Sequence, residues 1–252
     1  MPVYRNNVLI FEDIVDDLVR IYGLDNLELI PPKVELLSPK SNEFYQFKEM
    51  IKDYMTMLGL DEVYNYSFIN EFDTKFLNDQ QQRWLVGPKN YLNENYRYLN
   101  PVSLITLLKN VTTNLAYFEK AKFFQIDKNY RSVSDVIFEN TYLSFAIYDL
   151  NKKQKETEVL LEAKGIIENL LAKLAIDKDK YYFSDKYLKD SDKNNKIFKS
   201  TVYIYSHSDE LIGSMGSVID NVKAEYKIKN DQKNPWVVLS EIDLSVLYKI
   251  MM

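Results

Sequence analysis

The sequence has no cysteine, and it has only one histidine and six glycines among its 252 residues. The absence of cysteine excludes disulfide bonds, thiolate metal sites, iron–sulfur clusters and cysteine nucleophiles. It also fits a reducing compartment, so we expect a cytoplasmic protein. The single histidine, His207, sits in the polar run 206–210, which is typical of a turn rather than of a catalytic triad. The glycines form neither a dinucleotide fingerprint nor a P-loop.

The sequence also lacks a long apolar run and an excess of positive charge. No stretch approaches the length that spans a bilayer, so we expect no membrane association. The net charge is −5, from 32 basic and 37 acidic residues, whereas nucleic-acid binding relies on basic surfaces that neutralise phosphates. We therefore expect little direct nucleic-acid binding by this chain. The 20 tyrosines and 13 phenylalanines then indicate core and interface packing rather than base stacking.

Apolar residues recur with helical spacing in some segments and with strand spacing in others. The helical period predicts helices over 9–22, 42–58, 103–115 and 158–174. The spacing and composition predict strands over 63–69, 122–126, 142–148, 201–205, 211–218 and 236–242. Hairpin-length connections favour antiparallel pairing over a doubly wound parallel sheet. We therefore predict an α+β fold, with a mainly antiparallel sheet flanked by helices.

A segment without steady periodicity separates two parts of the chain. Residues 25–39 contain the adjacent Pro31 and Pro32, which is typical of an extended connector. We predict a small N-terminal unit over 1–39 and a main domain over 40–252. The main domain is long enough to bury a core of its own.

The first predicted helix carries a cluster of acidic side chains. Asp13, Asp16 and Asp17 lie at relative positions 0, 3 and 4, so their carboxylates share one face of the helix and repel one another. A hard divalent cation could turn this repulsion into binding. Alternatively, acids early in a helix complement the positive end of its dipole. The pattern alone favours the second interpretation.

Short motifs along the chain occur in the order and spacing of a known family. They are the segment 20–26 (RIYGLDN), 58–63 (LGLDEV), 66–69 (YSFI), 122–126 (KFFQI), 162–168 (EAKGIIE), 212–216 (IGSMG) and 241–244 (EIDL). Together they resemble the catalytic-like core of the phenylalanyl-tRNA synthetase β subunit, with residues 1–39 as the end of the module before it. The family's "LRTSLLPGLL" stretch appears as 99–108 without its arginine or its Pro-Gly, and its "FHPGRSA" loop is missing.

The resemblance implies a class II aminoacyl-tRNA synthetase fold in a non-catalytic version. The α subunit would carry the active site and bind ATP, and this chain would have no active site of its own. Its implied role is to scaffold the α subunit for ATP-dependent attachment of phenylalanine to its tRNA. The assembly would contain two α and two β chains, and tRNA(Phe) would be bound by the full assembly. The alternative is a free-standing class II-like binding or regulatory module without an α partner.

The resemblance also implies particular site residues. A magnesium site shared with the α subunit would use Asn7, Asp13, Asp16 and Asp17. Asn7 stands where the family has Asp, so it keeps an oxygen ligand but loses a charge, and the affinity for Mg²⁺ should fall. We further expect an apolar face for the α subunit among residues that include Phe118, Phe123, Tyr142 and Tyr148.

Overall fold

The computed structural model describes residues 4–5, 8–35, 37, 39–150, 155–186, 196–229 and 234–252. The chain divides into two compact units, Met1–Ser41 and Asn42–Met252. This division falls two residues beyond the boundary predicted from the sequence. No helix in the described part of the chain is long and apolar enough to cross a membrane.

In its described residues, the first unit contains one α-helix, α1, which spans Phe11–Tyr22 and confirms the first predicted helix. The Asp13 carboxylate accepts hydrogen bonds from the backbone N–H groups of Leu9 (2.8 Å) and Ile10 (3.0 Å) at the start of α1. The helix ends at Gly23, whose φ of 93° is a conformation that glycine adopts without strain. None of the residues of α1 is buried.

The second unit combines six α-helices with nine strands in the described residues. The helices are α2 (Glu43–Met57), α3 (Asp79–Arg83), α4 (Leu104–Asn114), α5 (Glu156–Lys173), α6 (Asp220–Glu225) and α7 (Leu244–Met251). The strands are β1 (Asp61–Glu62), β2 (Phe68–Ile69), β3 (Tyr98–Leu99), β4 (Lys120–Val133), β5 (Val136–Asp149), β6 (Tyr181–Ser184), β7 (Phe198–Ser206), β8 (Leu211–Val218) and β9 (Trp236–Asp243).

Seven strands form one sheet in the order β1-β4-β5-β9-β8-β7-β6. The pair β1 and β4 is parallel, and the other neighbouring strands are antiparallel. The predicted α+β fold with a mainly antiparallel sheet is therefore confirmed. The strands β2 and β3 form a separate antiparallel pair.

The sheet lies between two apolar cores. On one face, Phe145 and Ile147 of β5 pack into the core that includes residues of α2, α5 and α7. On the other face, Ala146 and Tyr148 of β5 pack into the core that includes residues of α4 and α6. This alternation follows from strand geometry, because successive side chains point to opposite faces.

The β4–β5 hairpin is longer than the sequence predicted. Its strands have 14 residues each and are joined by Ser134 and Asp135, which both have positive φ as in a tight hairpin turn. The strand β9 pairs with β5 only over Tyr142–Asp149, so the outer half of the hairpin extends beyond it. The predicted strand 63–69 was mostly wrong, because only Phe68–Ile69 forms a strand. His207 lies in the turn between β7 and β8, as predicted.

Two glycines give a matched test of the packing. A Cβ on Gly216 of β8 would lie 2.4 Å from the Ser200 carbonyl oxygen, whereas a Cβ on Gly165 of α5 would meet nothing within 4 Å. We predict that Gly216→Ala lowers the free energy of unfolding by about 1–3 kcal/mol through overpacking. Gly165→Ala should raise it by about 0.5–1 kcal/mol through helix propensity. Urea denaturation measures the free energy of unfolding of both variants. If the two substitutions changed it by the same amount in the same direction, the described packing would be contradicted.

Candidate functional site

A row of polar side chains crosses four strands of the sheet in register. Gln125 of β4 pairs with Ser144 of β5, and Ser144 pairs with Glu241 of β9. Glu241 also pairs with Ser214 of β8 on its other side. Directly opposed residues of antiparallel strands share one face of a sheet. We call these four residues the polar row, and it lies on the face that α4 covers in part.

A second polar row lies two residues further along the same strands. Tyr142 of β5 stands between Asp127 of β4 and Asp243 of β9. One oxygen of Asp243 accepts from the backbone N–H of Ser245 (2.8 Å), at the start of α7, and the other accepts from Asn140 Nδ2 (3.2 Å). Burial, together with the negative charge of Asp243, raises the pKa of Tyr142 well above its usual range, so this phenol stays neutral.

Glu241 is the central charged group of this face. Its Oε1 atom accepts hydrogen bonds from the Ser103 backbone N–H (3.0 Å) and from Asn129 Nδ2 (2.8 Å). Burial raises the pKa of Glu241 to about 7, although these hydrogen bonds act in the opposite direction. The nearby Asp243 adds to the increase. Near neutral pH, the protonated and ionised forms of Glu241 are therefore both populated.

The beginning of α4 fills part of the face beside Glu241. Gln125 Nε2 donates to Thr106 Oγ1 (2.9 Å) and to the Ser103 carbonyl oxygen (3.3 Å). The Ser103 hydroxyl also donates a short hydrogen bond to Asn129 Oδ1. The chain's own helix thus satisfies polar atoms that an open cleft would offer to a ligand. Of the polar row, Ser144 Oγ is buried without a hydrogen-bond partner in the described structure.

A cavity of about 140 Å³ remains next to Glu241. Its lining residues are Gln81, Val102, Leu104, Tyr142, Ile197, Tyr203, Leu211, Ile212, Gly213, Ser214, Glu241 and Asp243. Among its described lining residues are two carboxylates and no lysine, arginine or histidine. These described side chains do not supply the positive charge that the phosphates of a nucleotide need. Nor do they include a paired nucleophile and base.

The three aspartates of α1 that were predicted as ligands already have partners on the chain. Arg5 lies 2.7 Å from Asp17 and Arg20 lies 2.6 Å from Asp16, while the carboxylate of Asp13 caps the helix. The two backbone hydrogen bonds to Asp13 lower its pKa. The fourth predicted ligand, Asn7, lies outside the described residues.

In the described structure, the partners of these aspartates are other groups of the chain. Within the ranges that the structure describes, no three His, Cys, Asp or Glu side chains are grouped to hold a metal. A cation at α1 would have to displace an arginine or break the helix cap. The magnesium site therefore stays a prediction.

The predicted partner face was wrong for two of its four residues. Phe123 and Tyr148 are buried, because they face the core that α4 covers. Phe118 is exposed, and Tyr142 is half-buried beside Asp243. An alternating strand predicts two faces, but it does not predict which face another element covers.

A different aromatic cluster is exposed at the surface of the second unit. Tyr64 and Tyr66 are 79% and 74% exposed, and the Tyr66 ring centroid lies 5.3 Å from that of Tyr96. Phe68 contacts the same Tyr96 ring at 6.0 Å. We call these four residues the aromatic patch. Sequence reasoning missed it, although the alternation of Tyr64, Tyr66 and Phe68 was visible and places them on one side of an extended chain.

Comparison with known proteins identifies relatives of the chain. The family model for the "Phenylalanyl tRNA synthetase beta chain CLM domain" matches residues 27–244. The phenylalanine–tRNA ligase beta subunit of Clostridium acetobutylicum is 23% identical over 98% of this chain and 30% of its own length. That of Fusobacterium nucleatum is 24% identical over 98% of this chain and 31% of its own length. That of Rickettsia typhi is 30% identical over 70% of this chain and 22% of its own length. The chain thus spans about a third or less of these relatives.

Solved structures share the fold. Two structures of a pyrrolysyl-tRNA synthetase from Desulfitobacterium hafniense superpose with TM-scores of 0.60 and 0.61, at 15% and 14% identity. Each superposition covers 82% of this chain and 68% of the other chain. At this identity the likeness shows the fold alone.

The raised pKa of Glu241 predicts a pH-dependent stability. Because the folded pKa of about 7 exceeds the usual value, Glu241 lowers the free energy of unfolding as the pH rises from about 4.5 to about 7. The Glu241→Gln variant has no titrating group at this position. Its free energy of unfolding, relative to that of the native chain, should therefore rise by about 1–3 kcal/mol as the pH increases from 5 to 8. The exposed Glu225→Gln is the control. Urea denaturation measures the difference in unfolding free energy between Glu241→Gln and the native chain. The same difference at pH 5 and at pH 8 would contradict this role of Glu241.

Because the aspartates of α1 already have partners on the chain, we predict that the isolated chain binds magnesium weakly. Any cation must compete with Arg5 and Arg20 and with the capping role of Asp13. We expect calorimetric titration with Mg²⁺ to show at most a millimolar affinity. A saturable signal at micromolar Mg²⁺ that Asp13→Asn removes would show that these side chains rearrange around the ion.

Proposed function

The chain belongs to the family of phenylalanyl-tRNA synthetase beta chains, and from this we propose that it is a non-catalytic subunit core that scaffolds a catalytic α subunit. The α subunit would attach phenylalanine to its tRNA in the ATP-dependent reaction. The family match over residues 27–244 is the observation that carries this proposal. The remaining arguments come from the chemistry of the cavity and of the surface.

The cavity supports a role without catalysis. A synthetase site must hold ATP, whose phosphates need positive side chains or metal ions. The cavity beside Glu241 has carboxylates instead, and the start of α4 occupies the neighbouring part of the face. ATP would therefore bind to the assembly through the α subunit. The chain has an excess of acidic over basic residues, which disfavours direct binding of tRNA(Phe). The full assembly would therefore bind this tRNA, and it would do so in the cytoplasm.

We place the contact with the α subunit at the aromatic patch. Tyrosines provide large contact areas at low entropic cost, and truncating them often removes much of the binding energy of an interface. Tyr64 and Tyr66 are exposed, and Lys52 Nζ lies 5.6 Å from the Tyr64 ring centroid. Polar neighbours such as Asn65 and Asn95 surround the patch, so it has the apolar centre and polar rim of a protein interface.

Paired truncations test this placement. We predict that Tyr66→Ala combined with Tyr96→Ala raises the Kd for the α subunit of the same organism at least about tenfold, as expected for hot-spot residues. Tyr117→Ala removes a tyrosine that is equally exposed (78%), lies outside the patch and should leave the Kd unchanged. Co-purification followed by mass determination shows whether a complex forms, and surface plasmon resonance measures the Kd.

The possible outcomes separate the claims. If the native chain forms no complex with the α subunit at micromolar concentration, the scaffold role is wrong. Self-association of the native chain in place of such a complex would favour a free-standing module. If the native complex forms and the double variant binds equally well, the scaffold role stands but the aromatic patch is not the contact.

A further inference from the structure

Two carboxylates of β9 line the same cavity and have only neutral partners. Glu241 and Asp243 are both lining residues, and Asp243 is only 8% exposed. In the described structure, Glu241 accepts hydrogen bonds from the Ser103 backbone N–H and the Asn129 amide. Asp243 accepts from backbone N–H groups at the start of α7 and from the Asn140 amide. These donors solvate the carboxylates but do not cancel their charge.

The basic residue that acts on this side of the sheet has other contacts. Arg131 of β4 influences Tyr142 electrostatically, but its guanidinium carbon lies 5.6 Å from the Phe138 ring centroid and 6.0 Å from that of Trp84. The ion pairs of the described residues include neither this arginine nor the two carboxylates of the cavity. Carboxylates inside a protein are usually paired with a cation. The pair in this cavity therefore leaves a place for a positive group from outside the chain.

Apolar side chains form much of the remaining described lining. They are Val102, Leu104, Ile197, Leu211 and Ile212. A divalent metal ion would need further oxygen ligands or bound water, and within the described ranges no three His, Cys, Asp or Glu side chains are grouped to hold one. An organic cation, in contrast, gains from contact between its hydrocarbon part and these side chains.

The size of the cavity and its acceptors narrow the choice of cation. A cavity of about 150 Å³ holds a benzene molecule, so the 140 Å³ beside Glu241 admits about six non-hydrogen atoms. A primary ammonium has three N–H donors, which suit two carboxylates and the Ser214 hydroxyl, whereas the five donors of a guanidinium would meet apolar walls. We propose that the cavity binds a primary ammonium group carried on a short alkyl chain, with Glu241 and Asp243 as its counterions.

This inference goes beyond the scaffold role and does not rest on it. The cavity shares none of its described lining residues with the aromatic patch. All residues that the argument uses belong to this chain, so the ammonium compound should bind when no α subunit is present. The full chain alone is therefore the protein to test, and a failure of either proposal leaves the other standing.

Two small probes of similar size and different charge test the proposal. We expect calorimetric titration of the full chain at pH 8 to give a Kd of about 1 mM or lower for n-butylammonium. The neutral n-butanol should bind at least about tenfold more weakly, because it brings no countercharge. Equal affinities for the two probes, no binding of n-butylammonium, or its displacement by micromolar Mg²⁺ would overturn the proposal.

The pH dependence of binding should follow Glu241. Its pKa is about 7, so it is ionised at pH 8 and protonated at pH 5.5, and n-butylammonium should bind at least about tenfold more weakly at the lower pH. The other titratable side chains of the described lining are Tyr142, Tyr203 and Asp243. Glu241→Gln separates their effect from that of Glu241, since it should remove the pH dependence. An affinity that is the same at both pH values in the native chain would contradict the role of Glu241.

Variants locate the binding in the cavity. Glu241→Gln keeps the shape of the side chain and should weaken binding of n-butylammonium at pH 8 at least about tenfold, whereas the exposed Glu225→Gln should leave it unchanged. Ser214→Leu narrows the cavity but keeps both carboxylates, so it should also abolish binding. Circular dichroism checks that each variant is folded. Binding that survives Glu241→Gln or Ser214→Leu would reflect general attraction to an acidic protein and would overturn the proposal.

A third probe identifies the source of the ammonium group. A short peptide with blocked ends and one lysine presents the same group on a side chain. If it binds as n-butylammonium does, and Glu241→Gln weakens both, the cavity receives a lysine side chain of another protein. If only n-butylammonium binds, the ligand is a free small amine.

Discussion

The pairing of β5 with two neighbours organises the second unit. This strand is antiparallel to β4 on one side and to β9 on the other, and residues 143–149 are buried. Because both faces are covered, its alternate side chains must serve two cores, one with α2, α5 and α7 and one with α4 and α6. The position of every polar side chain on this part of the sheet follows from that register.

The polar row and its partners limit the open space beside Glu241. Gln125 is buried and Glu241 is half-buried, and both need hydrogen-bond partners, since unpaired buried polar atoms are costly. The start of α4 supplies most of these partners through Ser103 and Thr106. The same contacts that stabilise the sheet therefore also fill space beside Glu241.

The sequence predicted those features that depend on local periodicity. The helices α1, α2, α4 and α5 appeared where apolar residues recur at helical spacing, and β8 and β9 appeared within a residue of their ends. It failed where tertiary context decides, because α4 buries Phe123 and Tyr148 while Tyr66 stays exposed. The polar row joins residues about 100 positions apart, so no local pattern assembles it. A local sign was present for two of its members, since Gln125 and Ser144 interrupt the short apolar runs at 123–126 and 142–148.

The length of the β4–β5 hairpin has a consequence for handling the protein. In the described part of the chain, no strand pairs with β5 over 136–141 on the side where β9 lies further along. Val136, Ile137 and Phe138 are exposed there, and the lone acid of the segment, Glu139, is neutralised by Lys128 at 2.6 Å. An uncovered apolar edge is a template on which other chains can add strands. At high concentration this hairpin is therefore where aggregation would begin, and a lysine or proline placed on its outer edge is the direct remedy.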